Sequence, residues 1–242
     1  MRYLVVLFML ASASGQCARD VSSIPAQVAT NGLKSLNSLH DYVWVMDLHQ
    51  IMRDRKGKVE TRDHREQTIV ANGQMYVRPL QPGETPEIPE SATALSSDYR
   101  VYPAAGGNCG VLPCGTNPYV FFQVNTFSAF WDVLRIREGE LNGSQALVLD
   151  LHAKHLPRHS YEETGTAWVE PEHCHLMRLI TFSVNPKSHE EREEVADFGE
   201  IKGSWLPVKR QTHAFLKGRI AEYTEEYTYT YLKFGASVRI VP

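Results

Sequence analysis

Asp132-Val133-Leu134-Arg135-Ile136-Arg137-Glu138-Gly139-Glu140-Leu141-Asn142-Gly143-Ser144-Gln145-Ala146-Leu147-Val148-Leu149-Asp150-Leu151-His152-Ala153-Lys154 sets a pattern that the rest of the chain repeats. Its halves meet at Asn142-Gly143, a dipeptide that tolerates the positive φ angles of a type I′ turn, so residues 132–141 and 144–154 read as a β-hairpin. The interval between turns then persists to the C-terminus. Thr164 to Val169 and His175 to Val184 flank Glu170-Pro171-Glu172-His173, and Pro186 to Glu194 reads as a polar crossing. Val195 to Ile201, Ser204 to Leu216 and Arg219 to Phe234 follow through turns at Gly203 and Gly218, with Tyr223, Tyr227, Tyr229 and Tyr231 keeping strand alternation.

Toward the N-terminus, Thr126 to Trp131 has helical spacing in Phe127, Phe130 and Trp131, preceded by a strand or irregular entry at Tyr119 to Val124. Gln81 to Pro89, with Pro82, Pro86 and Pro89, is a loop rather than sheet interior; a surface excursion is the default and a lid the alternative. Asp98 to Tyr102 and Met75 to Leu80 are short strands. Lys58 to Val70 is polar enough to keep much of its surface in water, and it is bounded by turns at Arg55-Lys56-Gly57 and Asn72-Gly73. His40 to Asp54 puts Tyr42, Trp44, Met46 and Leu48 on one face and Val43, Val45, Asp47 and His49 on the other. Before it, Val21, Ile24, Val28, Leu33 and Leu36 predict a helix over residues 21–39. About ten strands in hairpin order imply a mainly β fold with a single large antiparallel sheet.

Residues 1–15 read as a cleavable secretory signal: Arg2 is basic, Tyr3 to Leu10 is apolar, and Ala11-Ser12-Ala13-Ser14-Gly15 is small. That apolar run is too short for a bilayer core, which needs about 20 residues. Export to a periplasm follows, with residues 16–242 as a single domain; lipid anchoring at Cys17 ranks second, because Gln16 is a poor residue to precede a lipidated cysteine. An exported compartment permits disulfides, and Cys17, Cys109, Cys114 and Cys174 allow three pairings. The Gly- and Pro-rich loop around Cys109 and Cys114 favours that pair, which leaves Cys17 with Cys174. No paired Cys-x-x-Cys spacing is present, so no metal is expected.

Of the 242 residues, 43% are hydrophobic and 22% charged, which suits a packed core, and the net charge of −3 speaks against nucleic acid as a partner. The enzyme class finds little support. His159, Glu162 and Glu163 are close in sequence, and on a strand His173 and His175 would share a face with Cys174 turned away. His189-Glu190-Glu191-Arg192-Glu193 lacks the second His of a zinc-protease motif, and neither Gly-x-Ser-x-Gly nor a phosphate loop occurs. No catalytic residue and no cofactor are assigned, and a hydrolase ranks last.

Gly165-Thr166-Ala167-Trp168-Val169-Glu170, Leu176-Met177-Arg178-Leu179, Gly203-Ser204-Trp205-Leu206-Pro207 and Tyr231-Leu232-Lys233-Phe234, in that order of hairpins, resemble the bacterial outer-membrane lipoprotein-sorting proteins, in their divergent LolA-like or LolB-like members. Asp41-Tyr42, the Gly57 hairpin and Asn72-Gly73-Gln74-Met75-Tyr76 are similar as well. The resemblance implies an unclosed, strongly curved half-barrel whose concave apolar face, partly covered by one or two short helices, shelters acyl chains of a lipid or lipoprotein without covalent chemistry. On that fold the residues expected to line the cavity are Tyr42, Trp44, Met46, Leu48, Phe127, Phe130 and Trp131. Each buried CH₂ would contribute about 0.8 kcal/mol. The alternative is an envelope interaction protein with a filled core, recognising a protein partner by strand addition along an edge from Glu222 to Tyr231.

Overall fold

Alternation of side chains across each strand and tight turns between strands leave the chain one economical arrangement, a meander whose neighbours in sequence are neighbours in space. The computed structural model describes residues 17, 21–38, 41–71, 74–88, 98–103, 127–154 and 162–234. A 3-10 turn at Val21–Ser23 leads into α1 (Ile24–Ser38). Strands β1 (Tyr42–Asp54), β2 (Val59–Ala71), β3 (Gln74–Pro79) and β4 (Arg100–Pro103) form one meander. After α2 (Phe127–Phe130), strands β5 (Trp131–Leu141), β6 (Ser144–Ala153), β7 (Glu162–Val169), β8 (Leu176–Asn185), β9 (Glu190–Ile201), β10 (Ser204–Phe215) and β11 (Ile220–Phe234) form another.

The two meanders join into one sheet of eleven strands in the order β4-β3-β2-β1-β11-β10-β9-β8-β7-β6-β5. All ten pairings are antiparallel. The outermost strands, β4 and β5, are not partners of each other, so the sheet is open rather than a closed barrel. The hairpin at residues 142–143 has the expected turn, with φ of 53° at Asn142 and 82° at Gly143. Pro207, which has no N–H to give a ladder, is accommodated in β10 where the register with β9 slips between Pro207 and Lys209.

Several expectations change. Residues 190–194 are not a crossing but the first part of β9, paired with β8 from Asn185↔Glu190 onward; their charges alternate between the faces instead of marking a loop. β11 is not an edge. It lies between β1 and β10: β1 pairs with it along its length and β10 with Glu222 to Thr228, so over Glu222 to Thr228 neither side is open to strand addition. β2 is exposed only over its first half; Glu66 to Ala71 are buried, because β3 pairs with that half alone. In α1, Ile24 and Val28 are buried but Leu33 is half-exposed, and Ser35 takes the inward position, accepting the N–H of Trp205 at 3.3 Å.

The face against which α1 packs is here the inner face, where Ile24 and Val28 meet Leu149, Leu151, Ala167, Leu179 and Ala196. On the outer face, Val43, Ile69, Ala71, Tyr76 and Tyr99 form a separate cluster. Residues 81–88 cross that outer face: the Gln67 amide donates to the Glu87 carbonyl and accepts the Glu87 N–H at 2.9 Å, while Arg78 pairs with Glu84. This segment is therefore a surface excursion and no lid over the inner face.

Cys17 and Cys174 form a disulfide, with Cα atoms 5.0 Å apart. It uses the sulfur that a lipid anchor at Cys17 would need. The N–H of Cys17 donates to the Pro171 carbonyl at 2.8 Å, and the Asn31 amide donates to the carbonyl of His173, so Cys17 and α1 are both tied to the β7–β8 turn. Cys109, Cys114, residues 1–15, Tyr119 to Val124, Asn72-Gly73 and His159 lie outside the described residues. No helix among the described residues is long and apolar enough to cross a membrane.

Candidate functional site

Cross-strand partners project to the same side of a sheet, so the register carries the inner face from the helix outward. Leu179 stands opposite Ala196, Ala196 opposite Arg210, and Arg210 opposite Tyr227. Tyr227, Tyr229 and Tyr231 in turn face Leu48, Met46 and Trp44. The expected cavity residues are therefore on one face but in two groups. Phe127 and Trp131 belong to the cluster under α1, with Phe130 packed against it. Trp44 and Met46, with Tyr42 and Leu48 beside them, cluster with Leu206, Tyr227 and Tyr229.

The second group contains a continuous run of rings. Tyr42 meets Trp44 edge-on at 6.0 Å, Trp44 stacks on Tyr229 at 5.2 Å, and Tyr229 stacks on Tyr227 at 6.4 Å. Such spacing is that of favourable ring pairs. Trp44 is 2% exposed and Met46 1%. Burial pushes the phenols of Tyr42 and Tyr229 up to about 12, so both stay neutral donors. The Tyr231 hydroxyl donates to the Pro207 carbonyl at 3.1 Å.

Where the rings end, charge begins. The Arg210 guanidinium lies 5.4 Å from the centre of the Tyr227 ring. One oxygen of Glu194, Oε2, accepts from Arg210 at 2.8 Å and from Arg192 at 2.9 Å. Glu194 stands between Thr181 and Thr212 in the register. On β11, Glu225 accepts from Gln50 at 2.6 Å and from the Tyr227 hydroxyl at 3.1 Å. Glu163 looks onto this group from β7; burial first, then the charge of Glu194, pushes its carboxyl up to about 7 against the pull of Arg192. Further along, the buried Glu66 bonds His64 at 3.0 Å through Oε2, while its Oε1 and the Thr68 hydroxyl have no partner. Burial raises the Glu66 carboxyl.

The polar islands on an apolar face are what the sequence reading misses. Arg192, Glu194 and Ala196 alternate onto the inner face, a period visible in the sequence once residues 190–194 are read as strand. Recesses lined by charged residues flank β1. One of about 550 Å³ is lined by Leu48, His49, Asp63, His64 and Glu226, and one of about 250 Å³ by Met52, Glu60, Arg62 and Arg219.

The histidine group also differs from expectation. His173 and Cys174 are not on a strand but in the turn before β8, where Cys174 has φ of 57° and its sulfur is in the disulfide. Ligand atoms of Glu170, Glu172 and His173 approach within 4.8 Å of one another. The Glu170 carboxylate already accepts the N–H groups of Glu172 at 2.6 Å and His173 at 2.7 Å, which accounts for its position as a turn-former. Burial lowers the pKa of His175, whose ring stacks on Trp205 at 5.3 Å.

No family model matches the chain, and no curated protein matches it. Among solved structures it is similar to a LolA superfamily protein from Nitrosomonas europaea, at 12% identity and a TM-score of 0.45, over 93% of this chain and 96% of that one. It is similar to a chain from Vibrio parahaemolyticus described as an outer membrane lipoprotein-sorting protein domain, at 11% identity and a TM-score of 0.45, over 90% and 95%. A DUF1329 family protein from Desulfovibrio piger is similar at 12% identity and a TM-score of 0.41, over 88% and 94%.

Proposed function

We propose that the chain is an exported, non-enzymatic carrier or sensor that takes up the acyl part of a lipid or lipoprotein on the inner face of its open sheet. The observation that carries the reading is that two apolar clusters share one face of an unclosed sheet, while α1 belongs to only one of them. Eleven strands at about 4.8 Å apart span roughly 48 Å, and a helix of 15 residues is about 22 Å long and about 10 Å wide, too small to cover that face. The Trp44 to Tyr227 run supplies flat apolar surface to methylenes, each worth about 0.8 kcal/mol when buried. The disulfide supports an oxidising compartment outside the cytoplasm.

A second reading is favoured by the near-complete burial of Trp44 and Met46. In it the face is a filled core and the chain is an interaction module of the envelope, with β4 and β5 the outermost strands among the described residues. Photo-crosslinking separates the two. Palmitate bearing a chain-terminal diazirine, irradiated with the purified protein and mapped by peptide mass spectrometry, is expected to label β1 and β11 around Trp44 and Tyr229. Label confined to the outer face, or none above a denatured control, favours the filled core.

A further inference from the structure

Resting on the carrier reading, we infer that the inner face holds a second, polar subsite, built from Arg192, Arg210 and Thr212, for the anionic head of an amphiphile whose chain lies along the aromatic run. Two guanidiniums converge on one carboxylate oxygen, Glu194 Oε2, and that of Arg210 also bonds the Tyr229 hydroxyl. Arg192 Nε and the hydroxyl of Thr212 are buried with no partner. Thr212 stands directly opposite Glu194, and Arg192 is two residues from Glu194 on the same face, so both reach one spot. The acceptor on the neighbouring strand, Glu225, is occupied by Gln50 and Tyr227. Glu163, facing from β7, keeps its proton toward neutral pH and adds a donor rather than an acceptor. The unpartnered Arg192 Nε and Thr212 hydroxyl call for a ligand rich in acceptor oxygens, a carboxylate or phosphate.

Access and direction agree. The Arg192 side chain is 40% exposed, whereas that of Arg210 is 8% exposed and lies over the Tyr227 ring, where the aromatic run begins. A head held between the two arginines would leave its chain directed over Tyr227, Tyr229 and Trp44.

Oleate and monoolein, which have the same acyl chain with and without a charge, test this on the full mature protein by equilibrium binding, with inorganic phosphate as a third ligand. The wild type is expected to bind oleate about tenfold more tightly than monoolein, the scale of a charge-assisted hydrogen bond. Arg192→Gln and, separately, Thr212→Val are expected to reduce that preference to about twofold or less while leaving monoolein binding unchanged. Thr212→Val keeps side-chain volume and carries the test if the arginine variant unfolds. Equal binding of both lipids by the wild type, or a preference that survives both substitutions, overturns the subsite and leaves the carrier reading standing. Binding of neither lipid overturns the carrier reading and the subsite with it. Inorganic phosphate bound as tightly as oleate assigns the arginines to a free anion and overturns the amphiphile.

Discussion

Trp44 and Tyr229 stack at 5.2 Å and 14° from parallel, although one is on the first strand and the other on the last. The contact joins the two meanders at the pairing of β1 with β11, so it serves the core as well as any ligand. Trp44→Ala is expected to destabilise the fold by about 3–5 kcal/mol, the usual cost of deleting a buried ring. Urea unfolding checks this. A loss below about 1 kcal/mol would mean that the ring is not packed as described.

The disulfide closes a separation of 157 residues and ties down the segment ahead of α1. Paired replacement of Cys17 and Cys174 by serine is expected to cost about 2–5 kcal/mol. The measurement is thermal unfolding, alongside intact mass before and after reduction. Free thiols at both positions in the native protein would contradict the pairing.

Glu163 makes stability depend on pH with a definite sign. Its carboxyl is raised to about 7 by burial and by Glu194, with Arg192 opposing, whereas in the unfolded chain it titrates near the ordinary value of about 4.3. Between those values the folded protein holds a proton that the unfolded chain has lost, so this group's contribution is fully present below about pH 4.3 and is lost as pH rises toward 7. Glu163→Gln is expected to gain stability relative to wild type as pH is raised from 5 to 8. Denaturant titrations at both pH values read the difference, and parallel pH profiles for the two proteins would contradict it.

Gly165 stands opposite Thr181, and a Cβ built on it would lie 2.9 Å from the carbonyl oxygen of Ile180. Backbone on a paired strand does not yield easily. Gly165→Ala is expected to lose about 1–3 kcal/mol, the scale of overpacking, and an unchanged unfolding midpoint would show that β7 and β8 can separate locally.

What could be read from the sequence was local. Asn142-Gly143 and Gly203 fix turns by their own φ preferences, and alternation in Trp44, Met46 and Leu48 or in Tyr227, Tyr229 and Tyr231 assigns faces without knowledge of the neighbours. The joining of β1 to β11 was not legible, because it depends on contacts between distant residues; for the same reason the Glu222 to Tyr231 segment looked like an edge and is central. Cys17 with Cys174 was one of three pairings that distance alone decides. The Glu194 group was hidden for a different reason. A run of Glu and Arg reads as solvent-facing until the register places alternate members opposite Thr181, Thr212 and Ala214. The residues expected to line a cavity share a face but not a cluster: Phe127 and Trp131 pack with α1, away from Trp44.

Native mass spectrometry of the protein, purified from its native source without added detergent and followed by lipid extraction, asks whether an acyl chain is bound. A stoichiometric co-purifying species that carries an acyl chain, and is released when Trp44 or Met46 is replaced by Glu in a variant that still folds, is the expected result. A clean apo mass, with no lipid in the extract, would contradict the carrier reading.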